Sequence, residues 1–253
     1  LKRDTPMVVL DCETYANYFL LSMLDTDSGK IKDFELFDGQ DFDSKTVTAI
    51  LKKHTTLGFN SSSYDLPVIV AALRGDTNEQ IKQLSDDIIN APQVWQILKK
   101  HKIVIPSAFD HIDIIEIPIG QASLKIYGGR LHAPKLQDLP IEPSALITPD
   151  QRQVLREYCH NDLEVTRLLY EALRPQIELR EKMGAQYDLD LRSKSDAQIA
   201  ECVIKHELEA KDIDCSRKVV KAGTTYKYVM PKHLTFKSQL FNDLAAKIES
   251  VDF

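Results

Sequence analysis

Four apolar residues followed by two closely spaced carboxylates constrain this chain more than any other stretch. Residues 7–14 read Met-Val-Val-Leu-Asp-Cys-Glu-Thr. The apolar run predicts a buried β-strand, in which alternate side chains share a face, so Asp11 and Glu13 lie together and Cys12 lies opposite. Neighbouring carboxylates repel each other unless a cation joins them or one takes a proton. The pair therefore indicates either a site for a hard cation or two ordinary solvated charges after a strand.

The rest of the N-terminal part predicts an α/β domain. Strands first and then helices interleaved with strands indicate a mixed sheet flanked by helices. An irregular turn is expected around Tyr127-Gly128-Gly129-Arg130. The predicted strands after the first are residues 18–24, 31–37, 56–59 and 111–115, and the predicted helices are 44–53 with a cap at Ser44, 66–73, 77–90, 92–100 and one beginning after Thr148.

The sequence changes character near residue 175, where we place a domain boundary between residues 1–174 and 175–253. The second part predicts a mostly helical connecting segment without residues suited to catalysis. Its elements are a polar helix over 176–183, a helix opened by a capping box of Ser195 and Gln198, a strand over 224–230, and an amphipathic stretch with Leu240, Leu244 and Ile248.

Composition excludes several classes of protein. The 253 residues are 43% hydrophobic, and neither a membrane-length apolar run nor a signal peptide is evident. The four cysteines are scattered without a CxxC pair, which favours a reducing compartment, and we expect a cytoplasmic protein. Net charge is −6, with 13 basic and 13 acidic residues in 176–253, so the N-terminal part carries the excess. Bulk charge therefore does not support non-specific duplex binding.

Two later motifs add carboxylates to the first pair. Thr148, Pro149 and Gln151 predict a helix start with a capping box. The stripe that follows, Val154, Tyr158, Asp162, Val165 and Leu169, has helical spacing. A carboxylate on such a stripe is costly unless it is paired or bound to a cation. Asp65 ends an Asn-x3-Tyr-Asp motif and could equally cap the helix that follows.

The set of motifs resembles a known family. Asp11-x-Glu13, then Asn60-x3-Tyr64-Asp65, then Tyr158-x3-Asp162 are similar to the three exonuclease motifs of DEDDy 3′–5′ exonucleases, the ribonuclease H-like proofreading domains of DNA polymerases. The second motif is most similar to family B polymerases of phages and viruses. The resemblance covers roughly residues 7–173, and every acidic position is present.

The resemblance implies a site for two Mg²⁺ or Mn²⁺ ions, which prefer carboxylate oxygens. Asp11 would bridge both ions, Glu13 and Asp162 would complete the ion on the side of the attacking water, and Asp65 would support the other. Tyr158 would orient the water, since a phenol with an ordinary pKa near 10 is a poor base at pH 7.

The substrate implied by the resemblance is the 3′ end of single-stranded DNA. Expected contacts are Thr14, Tyr15, Phe59, Asn60, Tyr64 and Arg130. Lys125, Arg130, His132 and Lys135 bracket the glycine pair, where a strand could approach closely or a hairpin tip could simply be solvated.

Alternative functions remain open from the sequence. An RNA exonuclease of the same superfamily would hydrolyse the same phosphodiester, and a third possibility is a non-catalytic single-strand binding or docking module. Because the chain begins without Met, we expect a fragment whose partner is a polymerase domain of the same chain, in the host cytoplasm if the source is a phage.

Overall fold

A mixed five-stranded sheet forms the centre of the protein. The computed structural model describes residues 7–37, 39–216 and 220–252. The strands are β1 Val8–Tyr15, β2 Tyr18–Asp25, β3 Ile31–Phe37, β4 Thr56–Gly58 and β5 His111–Asp113, in the spatial order β3-β2-β1-β4-β5. The first three pair antiparallel as a meander, and β4 and β5 run parallel to β1. The predicted α/β class with a mixed sheet is confirmed.

Helices cover both faces of the sheet because alternate residues of β1 are apolar on each side. Val8, Leu10 and Cys12 pack against four helices, which are α1 Ser44–Lys53, α2 Asp65–Arg74, α3 Asn78–Asn90 and α4 Val94–Lys100. Val9 and Tyr15 pack on the other face with residues of α5 Leu124–Arg130 and α6 Gln151–Tyr187. β1 is therefore buried between two layers of helices.

Helix α6 is longer than expected and crosses the predicted boundary at residue 174. Pro175 lies inside it, although proline removes a helical N–H and usually ends a helix. Leu173 and Ile177 are buried on either side of the proline, which explains why packing keeps the helix intact. Residues up to His206 form one compact unit, and the assignment of 175–253 to a connecting segment stays a prediction.

The predicted buried stripe of α6 is displaced at its start. Val154 is 44% exposed, and the residues that pack against the sheet are Leu155, Cys159 and Leu163. Tyr158 and Asp162 are half-buried beside that row. The spacing alone could not separate the two rows, because neighbouring positions on a helix differ by only 100° and both rows contain apolar residues.

The turn expected around the glycine pair is helix α5. Gly128 is buried where α5 crosses α6, and a Cβ on it would stand 2.9 Å from Cγ1 of Val165. The glycine therefore permits close helix packing, and the predicted approach of a nucleic-acid strand to Gly128 is wrong. Gly129, the next residue, is exposed.

The predicted helix caps are partly confirmed. Ser195 and Gln198 form the expected capping box at α7 Asp196–Glu209. Thr77 also caps α3, where no cap was predicted. The cap of α1 is Asp43 rather than Ser44, since Asp43 Oδ1 accepts the N–H of Thr46 at 3.1 Å. At Thr148 only half of the box forms: Gln151 Oε1 accepts the Thr148 N–H at 2.9 Å.

Residues from Glu207 onward form a second, smaller unit. It contains α8 Gln239–Glu249, on which Leu240 and Leu244 are exposed. The strand predicted over 224–230 is wrong: the structure has only an isolated bridge between Lys227 and Asp252 there. A strand needs a paired neighbour, and Val229 is 79% exposed. Among the residues with described structure, no helix is long and apolar enough to cross a membrane.

Candidate metal and catalytic site

The two carboxylates of β1 lie on the face of the sheet that α6 covers. The Cys159 thiol of α6 donates to Asp11 Oδ2 at 3.3 Å, and Glu13 is 9% exposed. Burial and the neighbouring carboxylates raise the pKa of both Asp11 and Glu13 well above the usual range. Without a cation, these groups therefore hold protons that ordinary aspartate and glutamate would have lost at the same pH.

Helix α6 adds a third carboxylate beside this pair. Asp162 accepts a hydrogen bond from the Tyr158 hydroxyl one turn earlier, and the Asn161 amide donates to its Oδ1 at 3.4 Å. Burial raises the pKa of Asp162 in spite of these bonds. The four-residue spacing predicted from the sequence thus brings the phenol and the carboxylate into contact.

Asp65 is the fourth carboxylate and comes from the other layer of helices. It is the first residue of α2, 4% exposed, and the cap position belongs to Tyr64, so the alternative of an N-cap is wrong. Oδ1 of Asp65 has no hydrogen-bond partner. Burial and the charge of Asp113 raise the Asp65 pKa to about 7, although Cys12 donates to the carboxylate. An orphaned carboxylate oxygen in a buried position is a natural ligand for a cation.

The four carboxylates act on one another. After burial itself, Asp65, Glu13 and Asp162 raise the pKa of Asp11, in that order of size. Ligand atoms of Asp11, Glu13 and Cys159 all lie within 4.8 Å of one another. Three elements, from the sheet and from the helices on both of its faces, therefore bring like charges together around Asp11. Charge repulsion there is destabilising unless something positive is bound.

The donor set fits Mg²⁺ or Mn²⁺ because it offers several carboxylate oxygens, including the unpartnered Oδ1 of Asp65. The thiol of Cys159 suits these hard ions poorly, and burial raises its pKa well above the usual value, so we do not count it among their ligands. It supports the site instead as a hydrogen-bond donor to Asp11.

Tyr158 is suited to donate a hydrogen bond and unsuited to remove a proton. Burial and the nearby carboxylates Asp162 and Glu13 raise its pKa well above the normal value of a tyrosine. The hydroxyl thus keeps its proton at neutral pH, and its partner in this structure is Asp162.

Three of the expected substrate contacts are already engaged within the protein. Thr14 Oγ1, Tyr64 Oη and Ser85 Oγ form a ring of hydrogen bonds with lengths of 2.9, 3.0 and 2.8 Å. Thr14 is buried and Tyr64 half-buried. Tyr15 is 2% exposed and donates to the Ile141 carbonyl at 3.1 Å, so its ring offers no surface on which a base could stack.

The remaining expected contacts are more accessible. The Phe59 ring is half-buried and meets Tyr127 edge-on with 6.0 Å between ring centroids. The Arg130 guanidinium lies 5.5 Å from the centroid of the same Tyr127 ring. Asn60 is exposed with φ of 59°, a backbone region that asparagine tolerates better than most residues. Their contacts with a nucleotide stay predictions.

Sequence reasoning missed Asp113, the last residue of β5. It is 5% exposed and accepts backbone N–H groups from Asn60 and Ser62 in the loop that leads to Asp65. A charged residue inside the apolar stretch His-Ile-Asp-Ile-Ile was the available signal. It was overlooked because a carboxylate at a strand end is usually solvated.

The same loop is held at a second point by His111. Its Nε2 lies 2.7 Å from Ser61 Oγ, and its Nδ1 lies 2.8 Å from Thr56 Oγ1. Burial lowers the His111 pKa to about 4, so the neutral ring exchanges hydrogen bonds with two hydroxyls. A Cβ on Gly58 would stand 2.4 Å from Ser61 Oγ, so the loop packs directly on the strand backbone.

Comparison with protein-family models and with curated proteins found no match for this chain.

Proposed function

We propose that this chain is a metal-dependent 3′–5′ exonuclease that removes nucleoside monophosphates from the 3′ ends of single-stranded DNA. The observation that carries the proposal is the cluster of four buried or half-buried carboxylates, Asp11, Glu13, Asp65 and Asp162, with an unpartnered oxygen on Asp65. The order of its motifs, which resembles that of DEDDy proofreading exonucleases, supports the same reaction.

Asp11, Glu13, Asp65 and Asp162 would hold the Mg²⁺ or Mn²⁺ ions. Bound divalent ions in such sites activate a water molecule and stabilise the leaving 3′ oxygen. The chain's own contribution is to fix these carboxylates on β1, α2 and α6, whose packed positions limit their movement. Glu13 and Asp65 are buried, which strengthens their interaction with a bound cation.

Tyr158 would orient the attacking water in this scheme. Its protonated hydroxyl, half-buried beside Asp162, can donate one hydrogen bond and accept another. Phe59, Asn60 and Arg130 are the best placed of the expected substrate contacts, since each has accessible surface. Base stacking and phosphate contacts do not read sequence, which suits an enzyme that removes any terminal nucleotide.

The partner of this activity would be a polymerase domain of the same chain, which would deliver mispaired 3′ ends as single strands. Such a protein would work in the cytoplasm, or in the host cytoplasm if its source is a phage. Residues 175–253, which include the exposed apolar side chains of α8, would form the connection.

The proposal is tested with single DNA strands labelled at the 5′ or at the 3′ end, a matched RNA strand and a duplex in the presence of Mg²⁺ or Mn²⁺. We expect a ladder of DNA products shortened from the 3′ end and mononucleotide release, with the duplex degraded more slowly. Faster degradation of the RNA strand would favour the RNA exonuclease. Tight binding of the strand without any product, in either ion, would favour a non-catalytic binding module.

Replacing Tyr158 by phenylalanine is expected to lower kcat by about 10- to 100-fold and to leave Mn²⁺ binding unchanged. The substitution removes one hydrogen-bond donor near the attacking water but none of the carboxylates, and such a group contributes about 1.5–3 kcal/mol when it touches a charged centre. Single-turnover cleavage and Mn²⁺ titration measure the two effects. A loss of Mn²⁺ affinity in Tyr158→Phe would contradict the assigned role.

A further inference from the structure

The loop over residues 60–64 decides where Asp65 stands. It connects β4 with α2, and Asp65 is the first residue of that helix. Asn60 has a positive φ of 59°, so the chain reverses sharply at the start of the loop. A short loop with this conformation keeps its shape only if its backbone groups have fixed partners.

Asp113 supplies those partners from the neighbouring strand. Its Oδ1 accepts the N–H of Asn60 at 2.9 Å and that of Ile115 at 3.1 Å. Its Oδ2 accepts the N–H of Ser62 at 2.8 Å. One buried carboxylate thus satisfies three backbone donors, two of them in the loop before Asp65. The Asp113 backbone is held in turn, because its N–H donates to Ser193 Oγ at 2.9 Å.

We infer that Asp113 is a positioning residue, which holds loop 60–64 so that the carboxylate of Asp65 faces the site of the second ion. This role rests on the proposed function. Asp113 has its oxygens committed to backbone donors, so it acts through Asp65. Outer groups that orient a metal ligand typically change metal affinity by about 10- to 100-fold when they are replaced.

The chemistry of an amide makes Asp113→Asn a selective test. With its oxygen at the Oδ1 position, asparagine keeps the bonds to Asn60 and Ile115 and places an NH₂ group against the Ser62 N–H. The reverse orientation would place NH₂ against two N–H groups, which is worse. The variant therefore loses the Ser62 anchor with almost no change of volume.

The experiment measures Mn²⁺ binding to the folded full chain by electron paramagnetic resonance and follows hydrogen exchange of the peptide that covers residues 59–66. We expect Asp113→Asn to lower the affinity for the ion that Asp65 binds about tenfold and to leave the affinity for the other ion unchanged. Hydrogen exchange in the loop should become faster. The double variant Asp65→Asn/Asp113→Asn should bind Mn²⁺ no more weakly than Asp65→Asn alone, because Asp113 acts through Asp65.

Two control variants separate positioning from general loss of stability. Asp87→Asn removes another hydrogen-bonded carboxylate, on α3, where Lys100 and His101 are its partners. Ser63→Ala removes a side chain of the same loop but leaves the contacts of Asp113 with Asn60 and Ser62 in place. Both should retain wild-type Mn²⁺ binding and loop exchange.

Three results would overturn the inference. Normal Mn²⁺ affinity and normal loop exchange in Asp113→Asn would show that Asp113 does not hold the loop. A lower Mn²⁺ affinity in the double variant than in Asp65→Asn would show that Asp113 acts by a route other than Asp65. An equal loss of Mn²⁺ affinity in Asp87→Asn would show that the effect of Asp113→Asn comes from a general loss of stability. If the wild-type chain binds no Mn²⁺, the proposed function itself is contradicted. If the wild type binds two ions and Asp113→Asn binds both with the same affinity, only this inference is contradicted.

Discussion

Replacing Asp11 by asparagine is expected to lower exonuclease activity at least about 10³-fold while the metal-free protein becomes more stable at pH 8. Asp11 stands among the charges of Asp65, Glu13 and Asp162 and would bridge both ions, so a neutral amide there removes ligands from each. Metal ions contribute several kcal/mol to stabilisation of the reaction's charge, and each 1.36 kcal/mol is a factor of ten in rate.

The opposite signs of the two effects distinguish a lost ligand from a damaged fold. Removing a buried carboxylate relieves repulsion and desolvation, so the melting temperature of metal-free Asp11→Asn should rise at pH 8. Product release from labelled single strands gives the rate, and Asp87→Asn serves as a control that should cleave normally. Wild-type cleavage by Asp11→Asn would refute the metal assignment, and a lowered melting temperature would refute the electrostatic explanation.

The stability of the metal-free protein is expected to fall as pH rises from about 4 to about 8. The folded pKa of Asp65 is raised to about 7, while an unfolded aspartate titrates near 3.9, so the folded state binds more protons between these values. Stability is then fully present below the unfolded pKa and is lost as pH rises through the folded pKa. The raised pKa values of Asp11, Glu13 and Asp162 act in the same direction. The lowered pKa of His111 acts in the opposite direction between about pH 4 and 6.5, and we expect the four carboxylates together to outweigh it.

Mg²⁺ or Mn²⁺ should remove this loss, because a bound cation favours the charged carboxylates and binds only the folded state. We expect the melting temperature at pH 8 to rise by at least about 5 °C at saturating Mn²⁺, since 1 kcal/mol corresponds to about 2–4 °C in a chain of this size. Thermal melts across pH, with and without metal, measure both effects.

Single variants assign these effects to residues. Asp65→Asn should reduce the pH dependence of the metal-free protein, because one of the groups with a raised pKa is gone. Asp11→Asn should abolish the gain from metal more completely than Glu13→Gln, because Asp11 would contact both ions. If the stability of the metal-free protein increases with pH, the raised pKa values of the site carboxylates are contradicted. If metal still raises the melting temperature of Asp11→Asn, the ion binds elsewhere.

Much of the fold could be predicted because its signals are local. The strands at residues 18–24 and 31–37 follow from their runs of apolar residues between turn residues, and the capping box at Ser195 follows from a side-chain bond over three residues. The errors arose where distant packing overrode such signals. Helix α5 forms at the glycine pair, where Gly128 leaves room for Val165 of α6. Helix α6 continues past Pro175 because its neighbours Leu173 and Ile177 are buried.

The sequence by itself determined the face that Asp11 and Glu13 share and the helical turn that joins Tyr158 to Asp162, since the periods of strands and helices are properties of the backbone. Only the tertiary structure decided which charges meet. Asp65 raises the pKa of Asp11 although 54 positions separate them, and Asp113 holds the loop between them. Those contacts depend on the order of β1, β4 and β5 in the sheet, which no local spacing encodes.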